Sequence, residues 1–485
     1  MGPTERVLII SSLLLFVSVI ASKGASRFGI PSLLVFLGIG ILAGTEGPGG
    51  LAFHDYGLVQ TIGALALISI LFSGGLDTDV QQIKPILKAG LGLSIFGVIF
   101  STLLVGGFAS IVLHFGALEG ALLGAIVSAT DVAAVFTVLR AKNVSLKPRI
   151  KPLLEFESAV NDPMTVFLGT GLLALYSAEH VTLFALIPQF FRQMILGALF
   201  GYLSGRFIVF FINRLKLEFE GLYPVLTISL ILFTYGITQA VGGSGFLAVY
   251  VAGIVLGNGN FLKRKSLILF HDGLAWLMQI FMFLAMGLIV SPRELWHVAP
   301  VGMALSLFLV FVARPVSVAL CLWPARFTLK EQIVVSWGGL RGAVPIILAT
   351  YPLTANLPEA QMIFHLVFFV VFTSVLLQGT FMAPVAKWLG MDAPLQHKFR
   401  YPLEYVPTGN LKSELVEVRI PVESGVVGKS LLDLKLPVGV LVVLIHRSGD
   451  VIVPRGGTVI VGDDVLLVLA EPDAVRALKQ RVSAT

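Results

Sequence analysis

Long apolar runs follow one another through most of this chain, and they constrain its fold more than any other feature. About thirteen of them are long enough to cross a lipid bilayer. The chain has 56% apolar and only 13% charged residues, whereas a soluble domain carries roughly 25% charged residues. We therefore predict a polytopic α-helical membrane protein, with spans near residues 7–22, 29–46, 58–76, 86–113, 117–139, 152–176, 182–211, 222–240, 244–260, 267–290, 298–323, 332–351 and 361–388.

Basic residues alternate between successive loops, and this alternation predicts the orientation. One set of loops holds clusters of Lys and Arg, whereas the opposite set holds Arg293 alone. Positive residues concentrate on the cytoplasmic side of a membrane, so we predict an N-terminus outside and a C-terminus in the cytoplasm of a bacterial-type inner membrane. The first run is interpreted as a retained span rather than a cleaved signal. The net charge of +6 is spread over these clusters and does not indicate a nucleic-acid partner.

The character of the chain changes near residue 390. We predict a membrane domain over residues 1–390, a polar linker over 391–409 and a small cytoplasmic α+β module over 410–485. Short β-branched runs divided by Pro, Gly and Asp turns predict strands in this module. The predicted strands are Leu415–Ile420, Val438–Ile445, Val451–Val453 and Val465–Leu469, and the predicted helices are Ser430–Leu434 and Pro472–Arg481.

A first polar group interrupts the fifth apolar run at Ser128-Ala129-Thr130-Asp131. Small hydroxyl residues and Asp in mid-helix compete for backbone hydrogen bonds and weaken the helix. Secondary transporters use broken helices of this kind near the bilayer midplane to bind cations. Ser128 and Thr130 alone are equally compatible with a packing patch, but a packing patch does not need the carboxylate of Asp131.

A second polar group lies in the sixth run, at Glu157, Asn161 and Asp162. A charge at bilayer depth costs at least roughly 3 kcal/mol on insertion scales, so it persists there when it is paired, hydrated or used. Glu157 and Asn161 share a helix face, whereas Asp162 is rotated by about 100°. For Glu157 we favour structural pairing, with Arg341 of the twelfth run as its partner, because Arg suits a buried bidentate contact.

These motifs resemble those of the NhaP/NHE-type monovalent cation:proton antiporters. The resemblance rests on Ser128–Asp131, on Glu157-Ser158 followed by Asn161-Asp162-Pro163, and on Gly338-Gly339-Leu340-Arg341-Gly342, and it extends over roughly residues 5–388. The tail, about 410–482, is similar to the C-terminal half of the RCK (TrkA-C) regulatory domain. The resemblance implies an NhaA/NhaP-like fold with two inverted repeats and broken crossing helices, within a homodimer.

The resemblance also implies roles for individual residues. Asp162 would bind the monovalent cation or the proton, Thr130 and Ser158 would offer oxygen ligands, and Asn161 and Asp131 would support the broken helices. Glu157 would pair with Arg341. One departure concerns the third span, where many sodium-specific relatives carry an acidic residue and this chain has Ser73.

We therefore expect a secondary active antiporter that exchanges a monovalent cation for a proton by alternating access. A single carboxylate that holds either ion is enough to couple the two flows, and Asn161 beside Asp162 favours electroneutral one-for-one exchange. Potassium is favoured by the tail and by Ser73. A sodium-selective antiporter and a ligand-gated potassium efflux channel remain as alternatives, whereas an enzyme is not expected. We expect no cofactor, and a nucleotide-type metabolite as the regulator of the tail.

Overall fold

The computed structural model divides the chain into two compact units, residues 1–397 and residues 398–485. The first unit contains the apolar runs and the second contains the predicted α+β module. The residues that the structure describes are 3–27, 31–51, 55–177, 182–261, 263–342, 344–394, 413–421, 423–434, 436–437, 439–447 and 450–483.

The first unit consists almost entirely of helices. Its earlier helices are α1 (Pro3–Arg27), α2 (Ser32–Ala43), α3 (Tyr56–Asp77), α4 (Val80–Ile83), α5 (Leu87–Gly92), α6 (Val98–Val112), α7 (Ala117–Ser128), α8 (Val132–Ala141) and α9 (Ile150–Ser177). Its later helices are α10 (Leu183–Leu215), α11 (Leu222–Ala240), α12 (Gly245–Gly257), α13 (Arg264–Ile289), α14 (Pro292–Phe308), α15 (Arg314–Leu322), α16 (Leu329–Trp337), α17 (Val344–Thr354), α18 (Ala360–Ser374) and α19 (Thr380–Trp388).

These helices coincide with the predicted membrane spans. Among the described residues, nine helical runs are long and apolar enough to cross a membrane. The shorter apolar helices α2, α12 and α17, together with α9, account for the remaining predicted spans. The last predicted span is one continuous run, because a π-helical turn at Val375–Gly379 joins α18 to α19. The predicted α-helical membrane fold is thus confirmed.

Two further π-helical turns lie inside spans, at Leu93–Gly97 between α5 and α6 and at Leu309–Ala313 between α14 and α15. A π turn adds one residue to a helical turn, and such bulges are frequent at functional sites. The added residue rotates the following helix face by about 100°. The face that each of these spans presents therefore changes partway along its length.

The helices of the first unit form two packed groups. In one group, α12 packs on α3, α10 and α11, while α13 packs on α2 and α3. In the other group, α7 packs on α6 and α9, and α18 packs on α14 and α17. Both polar motifs lie in the second group, on α7, α8 and α9, so this group holds the candidate site.

Glycines at four-residue spacing allow α10 to lie directly against α12. Gly197, Gly201 and Gly205 are buried, and a Cβ atom at any of them would overlap atoms of α12, including the carbonyl oxygens of Ala248 and Ala252. Small residues at a helix interface allow backbones to approach closely in a membrane. The stripe is therefore a packing feature and not part of an ion site.

A short antiparallel pair closes the first unit, between β1 (Val144–Leu146) and β2 (Asp392–Pro394). Residues 392–394, which lie in the predicted linker over 391–409, thus form a strand that pairs with the segment after α8. Lys147 N–H also donates to the carbonyl oxygen of Met391. The rest of the predicted linker, from residue 395, lies outside the described residues.

The second unit contains a four-stranded antiparallel sheet with the strand order β3-β6-β4-β5. The strands are β3 (Glu414–Arg419), β4 (Leu441–Arg447), β5 (Asp450–Ile452) and β6 (Val465–Ala470), and α20 (Pro472–Ser483) follows them. Val418, Ile445, Leu466 and Leu478 contribute to a buried core between sheet and helix. The predicted α+β module is confirmed as a fold.

The predicted helix at Ser430–Leu434 is wrong. This segment is a hydrogen-bonded turn in which the N–H of Leu434 donates to the carbonyl oxygen of Ser430. The Ser430 hydroxyl also accepts the N–H of Asp433 at 3.2 Å. This bond is of the type that caps a helix N-terminus, but a segment of five residues is too short to overcome the cost of helix nucleation, so the chain makes a single turn.

Candidate functional site

The fifth span breaks where the sequence predicts, between α7 and α8. Helix α7 ends at Ser128, and Ala129, Thr130 and Asp131 are non-helical before α8 begins at Val132. Asp131 has extended backbone angles and caps α8, because its carboxylate accepts the N–H of Ala134 at 3.2 Å. The break exposes backbone groups that have no helical partner.

Helix α9 supplies partners for that break. The Ser158 hydroxyl donates to the carbonyl oxygen of Thr130 at 2.7 Å and accepts the N–H of Val132 at 3.2 Å. The Asn161 side-chain amide donates to the Thr130 hydroxyl oxygen at 2.6 Å. The structure thus brings together Thr130, Ser158 and Asn161, which the sequence analysis had singled out.

The twelfth span is also broken, between α16 and α17, and the two breaks meet. The N–H of Asp131 donates to the carbonyl oxygen of Leu340 at 2.7 Å. A Cβ atom at Gly342 would overlap the carboxyl group of Asp131, so only glycine lets the two segments lie this close. The broken crossing helices implied by the resemblance are therefore present.

Asp162 lies on α9 one residue beyond Asn161, and its side chain is buried at 7% exposure. Its Oδ1 has no hydrogen-bond partner among the described residues, and the same holds for Oδ1 of Asn161. The carboxylate of Asp131 lies near enough to interact electrostatically with Asp162. Two adjacent residues therefore hold buried oxygens that no donor among the described residues satisfies.

Glu157 forms its ion pair with Arg314 and not with Arg341, which corrects the predicted pairing. Arg314 Nη1 lies 2.6 Å from Glu157 Oε1, and Nη2 donates to Oε2 at 2.9 Å. The residue at the start of α15 reaches Glu157 because the π turn at Leu309–Ala313 immediately precedes it. Sequence reasoning overlooked Arg314, although an arginine inside the apolar run 298–323 is as costly as Arg341.

Arg341 occupies the second break and is 1% exposed. Its Nη1 donates to the carbonyl oxygen of Gly339 at 3.0 Å, and its Nε has no partner among the described residues. The charges of Arg314 and Glu157 both act on its guanidinium. Of these two buried arginines, Arg314 is the one in contact with Glu157.

The described residues contain no group of three His, Cys, Asp or Glu that could hold a metal ion. A monovalent cation carried as a substrate needs only oxygen ligands and one compensating charge, and the break beside Asp162 offers both. Ser73 is buried in α3 at 8% exposure and adds no carboxylate from that span.

Comparisons with known proteins identify the family of both units. The family described as "Sodium/hydrogen exchanger, transmembrane" matches residues 12–388, and the TrkA-C domain matches residues 415–483. The K(+)/H(+) antiporter NhaP of Alkalimonas amylolytica is 36% identical over 496 residues, which cover 100% of this chain and 85% of that protein. The K(+)/H(+) antiporter NhaP2 of Shewanella sp. (strain MR-4) is 38% identical over 481 residues, which cover 98% and 83%.

A solved structure also resembles the membrane unit. The sodium proton antiporter MjNhaP1 from Methanocaldococcus jannaschii at pH 8 matches with a TM-score of 0.68 and 24% identity, covering 78% of this chain and 100% of that chain. At this identity the likeness establishes the fold alone. The chain belongs to the sodium/hydrogen exchanger family. The predicted class, a multi-pass monovalent cation:proton antiporter with a TrkA-C tail, is confirmed.

Proposed function

We propose that the protein exchanges potassium for protons across the bacterial inner membrane, one for one, by alternating access. Potassium is favoured because relatives that match nearly the whole chain, at 36% and 38% identity, are K(+)/H(+) antiporters by name. The absence of a carboxylate at Ser73 is consistent with this choice. Sodium exchange at the same site is the alternative result of the test below.

The observation that carries the mechanism is the buried carboxylate of Asp162, whose Oδ1 has no hydrogen-bond partner among the described residues. A buried charge without a partner is costly, and either a proton or a desolvated cation removes that cost. The two ions compete for one carboxylate, so the site holds one of them at a time. If the site opens alternately to each side of the membrane, this competition alone couples the two flows.

The ligands of the cation in this proposal are oxygens that the broken helix places near Asp162. Asn161 Oδ1 has no donor among the described residues, and the Thr130 hydroxyl oxygen accepts a hydrogen bond from the Asn161 amide. The Ser158 hydroxyl already donates to the carbonyl oxygen of Thr130 and accepts the N–H of Val132. Its first role is therefore to hold Thr130 in place. Asp131 caps α8 and adds a negative charge to the site.

The remaining parts of the proposal concern assembly and control. We place the N-terminus outside and the C-terminus in the cytoplasm, following the distribution of basic loops. The membrane units pair as a homodimer, and the tails pair with each other because a module of about 75 residues has a small core. A nucleotide-type metabolite between the paired tails biases transport through its different affinity for two states.

The test is cation-driven proton movement in proteoliposomes, with potassium and sodium supplied separately. Dequenching of a pH-sensitive dye by potassium, absent in protein carrying Asp162→Asn, supports the proposal. Dequenching by sodium alone would assign the protein to the sodium alternative. Potassium flux that moves no protons would overturn exchange and favour a channel.

A further inference from the structure

Two buried side chains of the last span, Ser374 and Gln378, hold the second break. Ser374 ends α18, and Gln378 lies in the π turn that joins α18 to α19. Each side chain is 1% exposed. Polar groups buried so completely in a membrane unit are costly unless they are hydrogen-bonded. The hydrogen-bond partners of Ser374 and Gln378 therefore indicate the role of these side chains.

Those partners are the backbone groups that the break leaves without helical bonds. The Ser374 hydroxyl oxygen accepts the N–H of Arg341 at 3.0 Å, and Gln378 Nε2 donates to the carbonyl oxygen of Trp337, the last residue of α16, at 3.0 Å. In the opposite direction, the indole N–H of Trp337 donates to the carbonyl oxygen of Gln378 at 3.1 Å. The end of α16 and the middle of the break are thus fixed to one neighbouring span.

The two side chains also act as a unit. The Ser374 hydroxyl donates to Gln378 Oε1 at 2.6 Å, which directs its oxygen lone pair towards the N–H of Arg341. Gln378 has both its donor and its acceptor engaged, so neither can turn without breaking a bond. A connected and satisfied buried network holds a single arrangement.

The break at α7–α8 is held in the same way. There, a serine hydroxyl and a side-chain amide from α9, Ser158 and Asn161, bond the groups around Thr130. At the second break, the serine and the amide come from α18 and its π turn. Each broken helix is therefore fixed by one Ser and one carboxamide of the span that follows it, although only the first pair lies beside a carboxylate.

We propose that Ser374 and Gln378 are positioning residues for the cation site on Asp162, which rests on the function proposed above. Their effect passes from the N–H of Arg341 to its neighbour Leu340, whose carbonyl oxygen receives the N–H of Asp131 at 2.7 Å. Gly379 lies against the side chain of Leu340 as well. Loosening this support displaces the non-helical segment at Thr130 and Asp131, and with it the ligands of the cation.

The test compares Ser374→Ala and Gln378→Leu with the control Ser306→Ala. Ser306 is also 1% exposed, but its hydroxyl donates to the carbonyl oxygen of Gly302 within its own helix. In proteoliposomes, we expect Ser374→Ala and Gln378→Leu each to raise the potassium concentration for half-maximal exchange by about three- to ten-fold, the size of one to two hydrogen bonds. The maximal rate should change less, and Ser306→Ala should match the wild type. The double variant should shift little further than Gln378→Leu, because the two side chains act together.

Unchanged half-maximal concentrations in folded Ser374→Ala would overturn the proposal, and so would a shift of the same size in Ser306→Ala. If Gln378→Leu does not fold, the half-maximal potassium concentration of Ser374→Ala alone tests the positioning role, because this substitution removes one hydroxyl and leaves the packing intact. Wild-type protein that exchanges no cation for protons would instead overturn the proposed function, so the two failures are distinguishable.

Discussion

Glu157 and Arg314 form an ion pair between α9 and α15, in which Nη2 donates to Oε2 at 2.9 Å and Nη1 lies 2.6 Å from Oε1. The exposed fractions of the two side chains are 1% and 3%. Ser94, in the π turn at Leu93–Gly97, donates to the carbonyl oxygen of Glu157 at 3.1 Å. Three spans of one packed group therefore meet at a single glutamate.

Removing Arg314 should destabilise the protein more than removing Arg341. Arg314→Ala leaves the Glu157 carboxylate buried without its direct partner, which costs about 3–5 kcal/mol. Arg341→Ala removes a cation whose side chain, among the described residues, bonds the carbonyl oxygen of Gly339. Thermal unfolding in detergent measures the difference. The double variant Glu157→Gln with Arg314→Leu should recover part of the lost stability. An equal or larger loss in Arg341→Ala would contradict the pairing seen here.

Asp162→Asn should abolish exchange without loss of folded protein. An amide of the same shape carries neither the proton nor the charge that binds the cation. Asp131→Asn should retain residual exchange, because Asn also caps a helix N-terminus well and Asp131 has a supporting role. Dye dequenching in proteoliposomes measures both variants. Cation-driven proton flux in Asp162→Asn would remove Asp162 from the mechanism.

The exchange should be electroneutral. Asp162 is loaded with one ion at a time, and Asn161 beside it carries no charge, so a one-for-one cycle moves no net charge. A membrane potential imposed with a gradient of a permeant anion should leave the rate of potassium-driven proton movement unchanged. A rate that depends on voltage would show that a second charge moves, and Asp131 would be the first residue to test.

The second unit should regulate exchange without forming part of the ion pathway. Its sheet and α20 have their own buried core. Truncation near Asn410, which lies outside the described residues, should leave exchange intact and alter its dependence on cytoplasmic pH or metabolites. Both can be measured with inside-out vesicles. A truncated protein that folds but transports nothing under any condition would show that the tail is required for transport itself.

Acid should weaken one contact outside the membrane spans. Glu46 accepts the Ser291 hydroxyl and the N–H of Arg293, and chiefly the bond from Ser291 lowers the pKa of Glu46 below its ordinary value of 4.5. A carboxyl whose folded pKa is lowered stabilises the fold above its unfolded pKa and loses this effect as the pH falls. Below about pH 4.5, the melting temperature of Glu46→Gln should therefore fall less steeply with decreasing pH than that of the wild type. Identical acid profiles for the two proteins would contradict this role.

The sequence predicted the spans and the first break because both depend on local chemistry. Runs of apolar residues can only be buried or lipid-facing, and Thr130 and Asp131 interrupt such a run with groups that favour bonds outside the helix. Thr130, Ser158 and Asn161 were singled out and lie in contact. Their roles in ion binding remain predictions, as do those of Asp131 and Asp162.

The partner of Glu157 was not predictable from the sequence, because Arg314 and Arg341 are both arginines inside apolar runs. Which one reaches the carboxylate depends on the rotation of its span, and the π turn before Arg314 sets that rotation. Helical periodicity carries no signal for such a turn. Ser374 and Gln378 were missed for a related reason, since their partners are backbone groups of a distant segment.

The hydrogen bond from the N–H of Asp131 to the carbonyl oxygen of Leu340 can form only after the twelfth span has been synthesised. Helices α7, α8 and α9 leave the ribosome long before α16 and α17 exist, so the N–H of Asp131 and the carboxylate of Glu157 enter the bilayer without their final partners. Unsatisfied polar groups at that depth are costly, and the early spans remain incompletely packed until the last third of the unit is inserted. A nascent chain that stops before α16 carries every residue of the proposed ion site but lacks the Leu340 carbonyl oxygen that accepts the N–H of Asp131.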